Sequence, residues 1–213
     1  MDVLTFTLVA DGSSDRALVP LLEWLLTIKL TDRPFAVRMA EGLPPWGDGL
    51  AARIGFAQAM YPCTALIIHR DSETEPWAVR LNQIEHAVQN MSIQNWLPIV
   101  PIRMTEAWLL HDQRSIRRAA GRPNDSVDLA LPRRQRWEAE PDPKNTLFTA
   151  LRVASGLSGR RLKKFDLNSA RSRVANLIDD FSYLRGLKCF DDFEKRLDRF
   201  LAIVDIQEGQ PPV

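Results

Sequence analysis

Five acidic residues stand where an α/β protein concentrates its chemistry. Asp11 closes the apolar run VLTFTLVA (3–10), and Asp15 follows four residues later. Asp71 and Glu73 lie just past TALII (64–68), and Glu106 lies just past LPIVPI (97–102). Each acid alone reads as a helix cap or turn residue. Together they read as a cluster. Like charges gathered at one place repel unless a cation neutralises them. Hard divalent cations bind through a few carboxylates together with waters and phosphate oxygens. The expected metal ligands are Asp11, Asp71 and Glu73, with Glu106 as a further catalytic carboxylate.

The acids can meet only if the runs before them are parallel strands. Residues 3–9, 35–40, 64–69 and 97–102 are short and mostly apolar, with β-branched residues frequent in all but 35–40, which predicts strands. Between them, apolar residues recur at helical spacing. Leu18, Leu21, Leu22 and Leu25 mark one helix, with Ser14 as its expected cap. Leu50, Ile54, Ala57 and Tyr61 mark a second, stopped by Pro62. Trp77, Leu81, Ile84, Val88 and Met91 mark a third, opened by Pro76. MTEAWLLHD is expected to start another helix. Alternation of this kind implies an α/β fold: a mostly parallel, Rossmann-like sheet of four strands with helices on both faces. All strand ends then point one way, and ligands bind beyond their carboxyl ends. Pro98 and Pro101 place the fourth strand near an edge.

The net charge of +1 hides an asymmetry. Between Gln113 and Arg173 there are 15 Lys/Arg and 6 Asp/Glu, or +9, so the remainder carries 13 basic and 21 acidic residues, or −8. An acidic body with a basic segment suits metal chemistry on a polyanion. The expected organisation is a core at 1–120, a basic loop and helical extension at 121–206, and a disordered tail at 207–213. Helices are expected at about 145–156, 167–181 and 190–205. Within the extension, Arg160, Arg161, Lys163, Lys164 and Arg171 are the expected nucleic-acid contacts, able to hold phosphates without reading sequence. Lys144, at a helix start after Pro143, is placed to meet a phosphate. Trp46 and Trp137 fall in loops, where they could stack on a base.

The order of these pieces resembles the TOPRIM family. ADGSSDRALVPLL looks like its opening strand, acidic-Gly turn and helix, with Asp11 where the family usually has Glu. TALIIHRDSE looks like its third strand followed by an Asp-x-Asp pair. Here that pair is Asp71 with Glu73, or His69 with Asp71. VPIRMTEAWLLHD and EPDPKNTLFTAL are similar to later elements of the small bacterial TOPRIM-like proteins of unknown function (domain-of-unknown-function family 4276). The resemblance runs from about Val3 to Leu151. It implies a Mg²⁺- or Mn²⁺-dependent nuclease related to those of phage-defence systems, with an ATPase as a partner protein.

Other chemistries find no support in the sequence. His69, His111 and the distant Cys63 and Cys189 lack the spacing of a zinc site. There is no Walker A loop and no Gly-x-Ser-x-Gly elbow. No apolar run approaches the about 20 residues a membrane helix needs. Two isolated cysteines and an acidic start suit a reduced, cytoplasmic protein. A rival function keeps the same fold without catalysis, as a regulatory module that binds nucleic acid or protein. The oligomeric state is open.

Overall fold

The computed structural model describes residues 2–209. Four strands, β1 (Leu4–Val9), β2 (Phe35–Met39), β3 (Ala65–His69) and β4 (Trp96–Ile99), form one sheet in the order β2-β1-β3-β4, every pair parallel. This is the Rossmann-like α/β fold expected. The central strands β1 and β3 are almost wholly buried, as parallel strands covered on both faces must be. β4, with Pro98, is an edge strand.

Helices α1 (Leu18–Lys29), α2 (Gly49–Met60) and α3 (Trp77–Gln89) are the crossovers. Ile54 and Ala57 of α2 and Ile84 and Val88 of α3 pack with Val9, Leu66 and Ile68 on one face. Leu21, Leu22, Leu25 and Leu26 of α1 cover the other, against Leu4, Phe6, Leu8 and Ile67. The chain therefore leaves β1 on one side for β2 and returns on the other for β3. That reversal makes the carboxyl ends of β1 and β3 the switch point of the sheet, the place where such sheets bind ligands.

The second half builds on the α1 face. It contributes α4 (Gln113–Ala119), α5 (Pro143–Ser155), α6 (Gly159–Lys163), α7 (Leu167–Leu177) and α8 (Lys188–Gly209). Leu147, Leu151, Ala170, Val174, Phe193 and Leu197 join the same core as β1. Phe200 of α8 meets Phe6 of β1 edge-on at 6.1 Å, a geometry that adds to the area both rings bury. Residues 121–142 are mostly irregular but anchored: Trp137 is buried and donates to the Pro132 carbonyl.

Local departures have identifiable causes. Ser14 caps no helix. Residues Ser13–Ala17 form a 3-10 turn, and α1 begins only at Leu18. MTEAWLLHD does not run into one helix either. Thr105–Leu109 is a 3-10 turn, and Asp112 then caps α4 by accepting the Ser115 N–H at 3.1 Å. Of the tail expected at 207–213, the last helix is carried through Gly209 and the remaining residues lie outside those described. Among the described residues, no helix is long and apolar enough to cross a membrane.

Candidate metal centre

The side-chain period of two places His69 with Ala65 and Ile67, on the sheet face that α1 covers. The His69 ring is wholly buried. Its Nδ1 lies 3.2 Å from the Ile99 carbonyl of neighbouring β4. A carbonyl only accepts, so Nδ1 carries a proton, and Nε2 presents a lone pair when the ring is neutral. Nε2 has no hydrogen-bond partner among the described residues. It faces two carboxylates instead, 3.5 Å from Asp71 Oδ1 and 3.8 Å from Asp15 Oδ2. One ligand atom from each of Asp15, His69 and Asp71 lies within 4.8 Å of the others. This buried group is placed to hold a metal ion.

Each carboxylate is held by its own loop. Asp15 sits in the 3-10 turn after β1, where Oδ2 accepts the Gly12 N–H at 2.8 Å and Oδ1 accepts the Ser14 hydroxyl at 3.1 Å. An ionised carboxylate has about four acceptor positions, so both oxygens keep capacity for a cation. Asp71 lies two residues past β3. Pairing with the β4 side continues beyond the strands there, with Arg70 N–H to Ile99 and Ser72 N–H to Pro101. Asp71 Oδ1 accepts the Thr105 N–H at 2.9 Å and its hydroxyl at 3.2 Å. Burial pushes the Asp71 carboxyl up to about 7. The Asp15 and Glu106 charges add to the rise, while His69 and the Thr105 N–H oppose it. Burial likewise raises Asp11 above the usual carboxylate range, against the pull of His69 and Arg70.

The structure separates the acids that the sequence groups together. Asp71 is in the cluster. Asp11 stands at its margin, with Oδ1 3.3 Å from Arg70 Nε. Glu73 turns away: its backbone takes the left-handed conformation (φ 52°), and its exposed carboxylate pairs with Arg80 at 3.2 Å. Glu106 is buried against Arg171 at 2.7 Å, so Arg171, expected as a nucleic-acid contact, points inward to a carboxylate. In place of Asp11 and Glu73, the cluster has Asp15 and His69.

Comparison with known proteins gives no relative. No family model, curated protein or solved structure matches the chain.

Basic side chains border the cluster on one side. A groove lined by Ser13, Ser14, Lys144, Asn168, Arg171 and Arg173 opens beside the Asp15 turn. Lys144 is exposed and, among the described residues, has no ion-pair partner. Arg173 is tied to the Ala119 carbonyl at 3.0 Å. Arg160, Arg161, Lys163 and Lys164 are exposed on and just after α6, ahead of α7, and likewise make no ion pair among the described residues. On the opposite side of Asp11, Trp46 donates to the Asp11 carbonyl at 3.1 Å, with Arg53 and Arg70 over its ring at 4.5 and 4.7 Å. Trp137 is committed to the core. His111 is spent on the Trp108 and Asp180 carbonyls.

Proposed function

We propose that the chain is a divalent-metal-dependent phosphodiester hydrolase, a TOPRIM-like nuclease of a cytoplasmic phage-defence system, with Mg²⁺ or Mn²⁺ as cofactor. The observation that carries this reading is the buried His69 Nε2, unpartnered among the described residues and aimed at two carboxylates at the switch point. Without a cation, that arrangement gathers two acids around a buried imidazole, and the repulsion between the acids costs stability. A bound divalent ion supplies Lewis acidity there and lowers the pKa of water. Asp15 and Asp71 hold it, and the Gly12 and Thr105 N–H groups hold those carboxylates in place. Lys144, exposed in the adjoining groove, offsets charge on a phosphate. The exposed cations of α6 bind the backbone of DNA or RNA beyond it. The resemblance adds an ATPase partner to this reading.

A second reading, a non-catalytic module that binds nucleic acid or protein, has its own support. Three strand-end acids are already paired with arginines: Asp11 with Arg70, Glu73 with Arg80 and Glu106 with Arg171. That leaves ligands for one ion rather than two.

Replacing Asp71 with Asn separates the readings. Thermal unfolding with EDTA and with Mn²⁺ is to be measured alongside cleavage of DNA and RNA. Wild type should gain stability from Mn²⁺ and cleave at least one substrate, and Asp71→Asn should do neither. A Mn²⁺ response without cleavage supports the binding module. Equal Mn²⁺ responses in both proteins remove Asp71 from any metal site.

A further inference from the structure

The ligand set is not one that magnesium favours. Mg²⁺ takes oxygen donors and keeps much of its water. Imidazole is a donor for first-row transition ions, and carboxylates extend the choice to Mn²⁺. His69 cannot withdraw to let a water-clad ion in. Its backbone is the last residue of a central strand, its ring is fully buried, and its Nδ1–H is held by Ile99. A histidine ligand whose other nitrogen donates to a backbone carbonyl is the usual arrangement in metal centres, because it fixes both tautomer and aim.

Distances agree. The Nε2–Oδ gaps of 3.5 and 3.8 Å are long for hydrogen bonds. Bonds of about 2.1 Å from one ion separate neighbouring donors by about 3.0 Å at right angles and about 3.4 Å at tetrahedral angles. The two gaps to Nε2 would close by about 0.1 and 0.4 Å to reach the tetrahedral spacing and by about 0.5 and 0.8 Å to reach the right-angle one, while the three donor atoms already lie within 4.8 Å of one another.

We infer that this centre selects a first-row transition ion over Mg²⁺, with His69 Nε2, Asp15 and Asp71 as its protein ligands. The inference rests on the metal-site reading above and gives it an ion class. The arrangement that competes with it is an imidazolium held between the two acids with no ion bound.

The test uses the full chain, MnCl2 and MgCl2. Pulsed EPR of the Mn²⁺-loaded protein should show coupling to a directly bound ¹⁴N, and His69→Asn should lose it. By thermal shift, Mn²⁺ should act at concentrations at least about tenfold below Mg²⁺. In His69→Asn the Mn²⁺ affinity should fall by about 10- to 100-fold or more, the loss expected when even an outer support of a ligand is removed. His69→Asp, which restores an all-oxygen set, should narrow or reverse the preference. Mn²⁺ binding without nitrogen coupling, or equal Mn²⁺ and Mg²⁺ potency, overturns the inference and leaves the metal site standing. No stabilisation by either ion, in a wild type whose fold is verified by circular dichroism, overturns both and leaves the imidazolium arrangement.

Discussion

The Arg171 guanidinium donates to the Glu106 carboxylate at 2.7 Å, with side-chain exposures of only 6% and 8%. Glu106 comes from the 3-10 turn after β4 and Arg171 from α7. The pair therefore fastens the helical half of the chain to the carboxyl edge of the sheet, beside Asp71. A buried pair of this kind adds little net stability compared with apolar packing, but losing one partner strands a charge.

That asymmetry is measurable. Arg171→Met should cost about 3–5 kcal/mol in urea unfolding, because Glu106 is left buried and alone. The double variant Arg171→Met with Glu106→Leu should recover most of the loss. A single-variant cost below about 1 kcal/mol would mean that water already reaches the pair. The double variant also settles whether Arg171 touches nucleic acid. If stability returns and nucleic-acid binding does not, Arg171 has a role beyond its pairing.

The four cations at α6 make the opposite case. Arg160, Arg161, Lys163 and Lys164 are exposed and make no ion pair among the described residues, so replacing all four with Ala should leave unfolding almost unchanged. Nucleic-acid binding should weaken, and the salt dependence of log K should flatten by about 0.7–0.9 for each phosphate no longer neutralised. Fluorescence anisotropy at several salt concentrations gives the slope. An unchanged slope assigns α6 to ordinary surface.

The sheet is legible in the sequence because its signals are local and repeated. Each strand is a short apolar run, and each crossover helix carries its own stripe. The site is half legible. Asp71 stands out because it follows the plainest strand. Glu73 and His69 both stand two residues from Asp71, and a period of two cannot choose between them. The choice is made by the backbone: His69 is still strand, while Glu73 takes the left-handed conformation and turns its side chain away. Asp15 reads as a helix-start acid, and it does bond the Gly12 N–H as a cap would. The missing signal is three-dimensional, since the 3-10 turn brings that cap back over the end of β3. Nor does the sequence show that Glu106 faces Arg171, because 65 residues separate them and no pattern links the two.

The protonation of Asp71 gives the cluster a stability signature of its own. Its carboxyl is raised from 3.8 to about 7 in the folded chain, burial being the first cause. A raised acid binds its proton more tightly when folded than when unfolded. Its contribution is then fully present below about pH 4 and is lost as pH rises through about 7. In EDTA, wild type should therefore lose on the order of a few kcal/mol of stability between pH 4 and 8 from this group, with Asp11 acting in the same direction. The exposed acids whose values are lowered, Asp166 and Asp180, act in the opposite sense, losing their contribution as pH falls through the ordinary carboxylate range and below. Asp71→Asn carries no titrating group at that position. It should match wild type near pH 4 and exceed it at pH 8. Metal reverses the trend, because binding requires the deprotonated acid: the Mn²⁺-induced shift of wild type should grow as pH rises through 7. The measurement is urea unfolding of both proteins across that range, with EDTA and with Mn²⁺. Parallel pH profiles in EDTA would show that Asp71 is ionised at neutral pH without an ion. The repulsion that makes the cluster costly when empty would then be absent.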